Sequence, residues 1–545
     1  MSAVRTTCPF CLNGCESIVT SDYQFRMEYP QDATVNKGRL CPRGNSASIV
    51  VDHPKRLAYP LLDGKEVSWD HAMQYMGSAM AGAKPEEMAV VYSRGLAESE
   101  VRLAWGFARA VGTPNLVCGY VEPDNCFQHR LAGVKAATIE QVKAARTTLL
   151  VGDVFGTSPV ASGPILEARY ADRKNRLIVI DSIRTRQAGQ AHVFLQVRPG
   201  TEVFCLLGMA GSLDKGPGID VELCAAASGL SGRQLADAAQ MLVNGPSFVG
   251  SAMHLGRVYY PVQHSLMSQL VAIKAGAPFT GFGEACVPLG KTGFEEFRRQ
   301  AGSGDLKSVF WFGGMYPYSY PELMPELTGQ VQFRIVTSIF RPENALPGLV
   351  IPVPSELEKE STGQSYWGEV VRHPVAAAYS GARPLARVLG ESAAVTELQA
   401  DPVSEVSARE AVEKTVAALS GHRPVPVGVG FCLLGEKRAS GIGGFYDAED
   451  EIRLSSPDAA KLSVGTGEYV EVESATGKAE FRVRVTVAVP EGAMSIGVNA
   501  HRNRALFPLA KDAVSGKTTI APAQVQVAKS ARTSAPAVEM IARVG

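Results

Sequence analysis

The sequence of 545 residues lacks an excess of charge of one sign. Its 54 Lys and Arg residues are matched by 54 Asp and Glu residues, so the formal net charge is zero. A protein that binds the phosphate backbone of nucleic acid usually presents a basic surface. The balanced charge, and the lack of any run rich in Lys or Arg, therefore argue against a nucleic-acid-binding protein.

Long apolar runs are also missing. No window approaches the about twenty consecutive apolar residues that a transmembrane helix requires. The first residues, MSAVRTTC, reach a cysteine before a signal peptide or a twin-arginine motif could fit. We therefore expect a cytoplasmic protein without a membrane span. Because a chain of this length with 46% hydrophobic residues exceeds a single core, we also expect several domains.

Cysteine is scarce, and four of the ten cysteines lie near the N-terminus. The other six are scattered singly, which suits a reducing compartment better than a disulfide framework. The clustered four lie in the runs CPFCLNGC and KGRLCPRG and are Cys8, Cys11, Cys15 and Cys41. Four thiolates at such a spacing suit either a [4Fe–4S] cluster or structural zinc. Because zinc ribbons usually pair two C-x2-C knuckles, the spacing favours the [4Fe–4S] cluster.

The N-terminal run resembles the start of the molybdopterin oxidoreductases, which include formate dehydrogenases, nitrate reductases and formylmethanofuran dehydrogenase. The resemblance rests on C-x2-C-x3-C, on G-R-L-C-x-R-G, and on the D-H-P-K-R-L and Y-P-L runs that follow. It implies that Arg43, two residues after the fourth cysteine, lies between the cluster and a pterin. The implied cofactors are a [4Fe–4S] cluster and molybdopterin guanine dinucleotide with molybdenum or tungsten.

Buried strands that end in glycine or an acidic residue predict doubly wound α/β domains in the middle of the chain. Residues 147–153 and 176–182 form two such strands, and ligands bind at the carboxyl ends of parallel strands. The motif recurs at residues 308–314 as a pseudo-repeat. The resemblance implies that these two related domains, within residues 61–380, each hold one pterin guanine dinucleotide. The cofactor-binding residues that it indicates there are Gly152, Asp153, Ser158, Pro159, Asp181, Arg184, Gly200, Thr201, Gly313 and Gly314.

The run DNCFQHR, residues 124–130, is similar to the metal-binding stretch of formate dehydrogenases in two alignments. In one, His129 takes the metal-ligand position and Arg130 that of the catalytic histidine. In the other, Cys126 binds molybdenum or tungsten through its thiolate, and His129 moves a proton. A third interpretation is that Cys126 is an inert core residue. The metal site would then be degenerate, as in the molybdopterin-like subunit of respiratory complex I.

A change of composition near residue 426 predicts a separate C-terminal domain. Residues 381–425 are rich in Ala, Ser, Glu, Pro and Arg and are expected to form a linker, with a helix over 405–419. Short strands then alternate closely, and period-two alternation over 479–487 is typical of an antiparallel barrel. This region resembles the dinucleotide-binding barrel of the family. We expect a cluster domain over 1–60, pterin-binding domains over 61–380 and the barrel over 426–530.

These features predict an α/β multidomain molybdopterin oxidoreductase fold: an N-terminal iron–sulfur domain, two doubly wound parallel-sheet domains and a C-terminal antiparallel β-barrel. The resemblance implies a formate or formylmethanofuran dehydrogenase-like subunit that oxidises a small one-carbon substrate. Electrons would pass from the metal–pterin through the [4Fe–4S] cluster to iron–sulfur or flavin partner subunits. The alternatives are a catalytically degenerate electron-transfer subunit and a zinc-stabilised binding module, although zinc leaves the pseudo-repeat and the barrel unexplained.

Overall fold

Four modules make up the part of the chain that the computed structural model describes. They are a three-stranded sheet, a seven-stranded sheet, a five-stranded sheet and a closed barrel. Every helix in this part is too short or too polar to cross a membrane. The described residues are 2–21, 25–93, 96–119, 127, 129–213, 219–254, 256–283, 292–313, 327, 329–342, 347–377, 381–390, 405–420, 430–436, 451–498, 503, 505–512 and 518–532.

The N-terminal module is a small antiparallel sheet followed by two short helices. Its elements are β1 Ser2–Thr7, β2 Glu16–Ser21, β3 Phe25–Glu28, α1 Pro42–Asn45 and α2 Ala47–Asp52. β2 lies between β1 and β3. Pro42 begins α1, where the missing N–H of proline costs no helical hydrogen bond. Three of the four clustered cysteines therefore lie in the β1–β2 turn, and the fourth directly precedes α1.

Residues 61–118 begin a second sheet, which the chain completes only after residue 300. Their elements are β4 Leu61–Leu62, β5 Lys65–Glu66, α3 Trp69–Ala81, β6 Met88–Tyr92, α4 Glu98–Ala110 and β7 Asn115–Cys118. Ser68 caps α3 by accepting a hydrogen bond from the backbone N–H of His71. All residues of β6 are buried, as expected for a parallel strand covered on both faces.

A five-stranded parallel sheet is inserted at this point. Its strand order is β11-β10-β9-β12-β13. The chain forms the central strand β9 first, adds β10 and β11 on one side, and then adds β12 and β13 on the other side. The topological switch point therefore lies between β9 and β12. The elements of this segment are β8 Arg130–Leu131, α5 Ile139–Lys143, β9 Thr147–Val151, α6 Val154–Thr157, α7 Ser162–Ala171, β10 Arg176–Asp181, β11 Val193–Gln196, α8 Glu202–Leu213, α9 Val221–Ser228, α10 Gly232–Val243, β12 Ser247–Ala252, α11 Pro261–Ala275 and β13 Phe279–Phe282.

The chain then returns to the second sheet. The elements are α12 Phe294–Ser303, β14 Ser308–Phe312, β15 Phe333–Ser338, β16 Leu349–Pro352, β17 Ser361–Gln364 and β18 Val370–His373. The sheet has the order β5-β4-β16-β15-β14-β6-β7, and its strands from β16 to β7 are parallel. The two predicted parallel-sheet domains are thus confirmed, but one is discontinuous in sequence because the other is inserted into it.

The segment predicted to be a linker is folded in its described parts. It contains α13 Leu385–Leu389, β19 Glu405–Val406 and α14 Ala408–Ser420. The predicted helix is confirmed, with its first residue three positions later than expected. Leu385 is buried in the core of the seven-stranded sheet, whereas Ala411 is buried in that of the five-stranded sheet. These parts therefore pack against both domains.

The C-terminal module is a closed barrel with the order β20-β24-β21-β23-β22-β27, so the predicted barrel is confirmed. The expectation that it is entirely antiparallel is wrong, because the pairs β20–β24 and β21–β23 are parallel. The chain between β21 and β23 includes a helix and another strand, a crossover of the kind that parallel neighbours need. The elements are β20 Phe431–Glu436, β21 Glu451–Leu454, α15 Ser456–Lys461, β22 Tyr469–Ser474, β23 Lys478–Val485, β24 Ala493–Gly497, β25 Leu509–Lys511, β26 Thr518–Ile520 and β27 Ala523–Lys529.

Candidate functional site

The side chains of Cys8, Cys11, Cys15 and Cys41 meet at one end of the N-terminal module. The backbone N–H of Cys8 donates to the carbonyl of Cys15 at 2.7 Å and closes the β1–β2 turn. Burial, followed by the charges of the other three cysteines, raises the pKa of Cys8 well above its ordinary value. The four sulfurs are therefore close enough to interact electrostatically.

The four cysteines lie on two separate loops. Within the described ranges, no three His, Cys, Asp or Glu side chains converge tightly enough to hold one metal ion. Zinc needs its four sulfurs at about 2.3 Å from one centre. The four cysteines that hold a [4Fe–4S] cluster are instead spread around a larger body. The chemistry of this set of four thiols therefore fits the cluster.

Apolar side chains surround the cysteine turn. Cys11, Leu12 and Val35 pack into a core that includes Tyr366 and Trp367, from the connection between β17 and β18. The backbone N–H of Tyr366 donates to the carbonyl of Leu12 at 2.7 Å, which fixes the turn against this connection. Such a water-poor setting with four cysteines fits an iron–sulfur cluster.

Arg43 joins the cysteine turn to the five-stranded sheet. Its side chain is buried, and its guanidinium donates to the backbone carbonyl of Thr157 at the end of α6. Cys11 Sγ lies 3.9 Å from the hydroxyl oxygen of Ser158, the next residue. Since α6 follows β9, both contacts bring the cysteines to the switch point of the sheet.

Polar and small residues follow the ends of β9 and β12. Gly152 has a φ of 71°, and a Cβ at this position would overlap the carbonyl oxygen of Ala252, so only glycine fits. Asp153 caps α6 by accepting a hydrogen bond from the N–H of Gly156 at 3.0 Å. Beyond β12, His254 Nε2 lies 3.4 Å from the hydroxyl oxygen of Thr157. The ends of the two central strands thus share one polar surface.

Arg257 is a buried cation in contact with buried acids. Its guanidinium donates to Asp181 Oδ1 at the end of β10. Burial lowers the pKa of Arg257, but the carboxylates of Asp181, Glu436 and Glu202 outweigh this effect and raise it. Burial and the charge of Asp181 also raise the pKa of Asp153 to about 7. One arginine therefore lies among four carboxyl groups: one from the end of β10, one from the loop after β9, one from α8 and one from β20 of the barrel.

Asp181 retains a free acceptor at this site. Its Oδ1 accepts from Arg257 and from the N–H of Ile183 at 3.1 Å. Its Oδ2 is buried and accepts no hydrogen bond from the residues that the structure describes. A buried acceptor without a donor is costly, and a guanine base presents the N–H donors that would satisfy it. The residues at this edge therefore fit the base of a pterin guanine dinucleotide.

Three more of the predicted cofactor residues lie around this edge. Gly200, with a φ of 78°, and Thr201 directly precede α8, and the Thr201 hydroxyl donates to the carbonyl of Arg198 at 2.7 Å. Pro159 begins a short 3-10 turn after Ser158. These residues shape the backbone around the strand ends.

The remaining predicted cofactor residues lie apart from this group. Arg184 is exposed, and its backbone N–H donates to the carbonyl of Ala488 in the barrel module at 2.8 Å. Gly313 follows β14 in the other sheet, where its N–H donates to the Thr337 hydroxyl at 2.8 Å. Gly314 is outside the described residues. The predicted pseudo-repeat therefore places a strand end at Gly313 in the seven-stranded sheet, in addition to the one at Gly152 in the five-stranded sheet.

The segment predicted to bind the metal is described only in part, and Cys126 is outside the described residues. Phe127 packs over the end of β13, where a Cβ on Gly281 would overlap its ring. The backbone carbonyl of His129 accepts from the side chain of Gln269 at 2.8 Å, in the second half of α11. Arg130 is exposed and pairs with Glu405 in the short β8–β19 ladder, so it does not join the buried charged group.

Four residues of the site were not predicted from the sequence: Arg257, His254, Glu202 and Glu436. Arg257 and His254 follow shortly after β12, a buried strand that was not recognised in the sequence. The same layout of strand and polar loop had identified Asp181 after β10. Glu202 directly follows the P-G-T run that was recognised.

Replacing Glu202 with glutamine tests whether this buried group contains more carboxyl groups than its one arginine can neutralise. Burial raises the pKa of Glu202 from its ordinary 4.5 to about 7. The stability that this group contributes is therefore complete below pH 4.5 and is lost as the pH rises through 7. We expect Glu202→Gln to raise the free energy of unfolding at pH 8 by up to about 3 kcal/mol, with little change at pH 4.

Urea unfolding of the cofactor-free chain at the two pH values measures this effect. The exposed Glu222→Gln is the matched control and should change neither value. A gain in stability at pH 4 that disappears at pH 8 would contradict the assignment of Glu202.

Two family models match the chain, and both agree with this geometry. The molybdopterin oxidoreductase Fe4S4 domain matches residues 1–53, and the molydopterin dinucleotide binding domain matches residues 438–519. This chain carries the two terminal domains of the molybdopterin oxidoreductases. The predicted resemblance is thus confirmed, as are the [4Fe–4S] cluster and the molybdopterin guanine dinucleotide as the cofactors.

Known proteins show similarity over part of the chain. The F420-dependent formate dehydrogenase subunit alpha of Methanocaldococcus jannaschii is 27% identical over 235 residues, 40% of this chain and 34% of that protein. The nitrate reductase of Klebsiella oxytoca is 25% identical over 226 residues, 39% of this chain and 26% of that protein. The matched stretch thus spans about a third or less of the length of these relatives.

A solved structure has the same fold over nearly the whole chain. Acetylene hydratase from Pelobacter acetylenicus superposes with a TM-score of 0.71 at 14% sequence identity. The match covers 96% of this chain and 100% of that chain. The predicted multidomain fold is therefore confirmed.

Proposed function

We propose that this chain is the pterin-binding subunit of a formate or formylmethanofuran dehydrogenase-like oxidoreductase that carries molybdenum or tungsten. One observation supports this most directly: the cysteine turn contacts the switch point of the five-stranded sheet through Arg43 and Ser158. When bound, the metal–pterin supplies two-electron chemistry and the cluster a one-electron carrier. The contact brings the residues that would hold the two cofactors side by side.

The residues of the chain would bind and shield the cofactors. Arg43 fills the boundary between the two sites with a buried positive charge and excludes water from it. Asp181 and Arg257 present a paired acceptor and donor to the nucleotide. The second strand end, at Gly313, would serve the second dinucleotide, as the pseudo-repeat suggests.

We propose Cys126 as the protein ligand of the metal, with His129 as its proton partner. The adjacent Phe127 packs on Gly281 at the end of β13, and the backbone carbonyl of His129 accepts from Gln269, so both residues are held against the five-stranded sheet domain. A soft thiolate also suits molybdenum and tungsten. X-ray absorption should show one metal–sulfur bond lost in Cys126→Ser. Loss of a nitrogen ligand in His129→Ala would instead favour the other alignment.

Electrons would leave through a partner subunit in the cytoplasm. All cysteines in the described part of the chain are free thiols, which suits a reducing compartment. The sequence contains one cysteine cluster and therefore one cluster site. A partner with iron–sulfur clusters or flavin is needed to reach a distant acceptor.

Anaerobically purified protein with a viologen dye tests the proposed activity. We expect formate, or a formyl donor, to reduce the dye, and we expect Cys126→Ser to abolish the reaction while iron is retained. A protein that contains molybdenum or tungsten with pterin but reduces the dye with neither substrate would overturn the proposed substrate class. Iron without pterin would favour the degenerate electron-transfer subunit.

Replacing Arg43 with alanine should slow electron transfer out of the reduced protein. The change removes a buried charge between the two sites, and we expect an effect on the order of tenfold, equivalent to about 1.4 kcal/mol. Stopped-flow reoxidation by an external acceptor measures it. Iron and pterin contents should stay unchanged, and exposed Arg39→Ala is the control. Equal rates for Arg43→Ala and wild type would exclude this role for Arg43.

A further inference from the structure

A buried amide lies inside the cysteine turn. Asn13, between Cys11 and Cys15 in sequence, is 1% exposed. Its Nδ2 donates a hydrogen bond to Cys15 Sγ at 3.0 Å, and Cys15 is also buried. The side-chain N–H therefore points at one of the sulfurs that would bind the cluster.

This amide does not act as an ordinary structural bridge. Asn36, in the same module, ties the backbone together with both ends of its side chain: Nδ2 donates to the carbonyls of Glu16 and Arg39 at 2.9 Å, and Oδ1 accepts from the N–H of Glu16 at 2.9 Å. By contrast, Oδ1 of Asn13 is buried and accepts no hydrogen bond within the described ranges. Among the described residues, the Asn13 side chain therefore hydrogen-bonds to the Cys15 sulfur and does not bridge backbone groups.

The backbone on both sides of Asn13 is held in place. The carbonyl of Leu12 accepts from Tyr366 N–H at 2.7 Å. Gly14 has a φ of 79°, and a Cβ on it would lie 3.5 Å from Ser365 Cβ, so the turn packs closely on the β17–β18 connection. The fold therefore holds the backbone that carries Asn13 in place beside Cys15.

We propose that Asn13 raises the reduction potential of the [4Fe–4S] cluster by donating an N–H···S hydrogen bond to Cys15. Reduction adds one electron to the cluster and increases the negative charge on its sulfur ligands, without making or breaking a bond. A donor stabilises the more negative state, and hydrogen bonds to the sulfurs are one of the determinants of cluster potentials. Burial strengthens the effect because the local dielectric is low. This inference rests on the cluster, and it goes beyond the proposed substrate and activity.

Replacing Asn13 with leucine removes the donor at similar volume and adds no charge. We expect the one-electron equilibrium to shift about tenfold toward the oxidised cluster, which lowers the potential by about 59 mV. A redox titration of the anaerobic full chain, followed by EPR, measures the shift. Asn45→Ala removes an exposed amide of the same module and should leave the potential unchanged.

A second readout separates the hydrogen bond from a merely structural role. After exchange into deuterated water, pulsed EPR should detect a deuteron coupling in wild type and Asn45→Ala that Asn13→Leu lacks, beside the couplings of the Ser158 hydroxyl and the backbone N–H of Phe10 that all three share. If Asn13→Leu loses iron, Asn13→Ala, which also lacks the N–H and adds no charge, is measured in its place and should show the same two changes.

Three results would overturn the inference. An unchanged or raised potential with full iron content would exclude the role of Asn13 and leave the proposed function intact. A lowered potential with every deuteron coupling of the wild type retained would exclude the N–H···S bond as its cause. A wild-type protein without a cluster signal would remove the cluster on which both the inference and the proposed function depend.

Discussion

Replacing Cys41 with serine is expected to remove about four iron atoms per chain and to abolish the EPR signal of the reduced protein. Three thiols come from the β1–β2 turn, and Cys41 brings the fourth from a separate loop, so no neighbour can replace it. Because Arg43 lies in the helix that Cys41 precedes, the contact with Thr157 should also weaken. An iron assay and EPR on anaerobically purified protein measure the two effects.

Cys11→Ser should behave in the same way, since Cys11 belongs to the same set of four. Cys118→Ser is the matched control: this cysteine ends β7, in a different module, and the variant should retain its iron. Full iron content in both the Cys11 and the Cys41 variants would show that these residues do not hold the cluster.

Replacing Arg257 with methionine is expected to lower the free energy of unfolding by about 3–5 kcal/mol at pH 8. The substitution leaves Asp181 buried without its ion-pair partner, and Glu202 and Glu436 lose the same positive charge. The penalty should shrink toward pH 5, because Asp153 and Glu202, each with a pKa raised to about 7, become neutral there.

Urea unfolding at pH 8 and pH 5 measures this prediction, and the exposed Arg233→Met provides the control. We expect the control to change stability by less than about 0.5 kcal/mol at either pH. Equal stability of Arg257→Met and wild type at pH 8 would contradict the account of the buried charges. A penalty that grows as the pH falls would contradict it as well.

Features encoded by short stretches could be predicted from the sequence. The spacing of four cysteines indicates a cluster because ligation requires thiols on loops that can surround it. β9, β10 and β14 are runs of apolar residues between polar turns, and each was recognised because a buried parallel strand is apolar on both faces. The place of Arg43 between the cluster and the pterin is an expectation that the family resemblance implies, because Arg43 is two residues after the fourth cysteine.

Features that depend on strand order could not be predicted. Arg257 and Asp181 are 76 residues apart and meet only because β12 lies next to β9 in the sheet. β6 likewise pairs with β14, although the whole inserted domain lies between them in sequence. No local sequence pattern predicts this pairing. The parallel strand pairs of the barrel could not be predicted for the same reason. Period-two alternation indicates which face of a strand is buried, but it does not indicate which strand is its neighbour.

The most direct test of the central claim is the metal and pterin content of the anaerobically purified protein. We expect about four iron atoms per chain, together with molybdenum or tungsten and a pterin guanine dinucleotide that can be extracted. Zinc in place of iron, or iron without any pterin, would contradict the claim that this chain holds both cofactors.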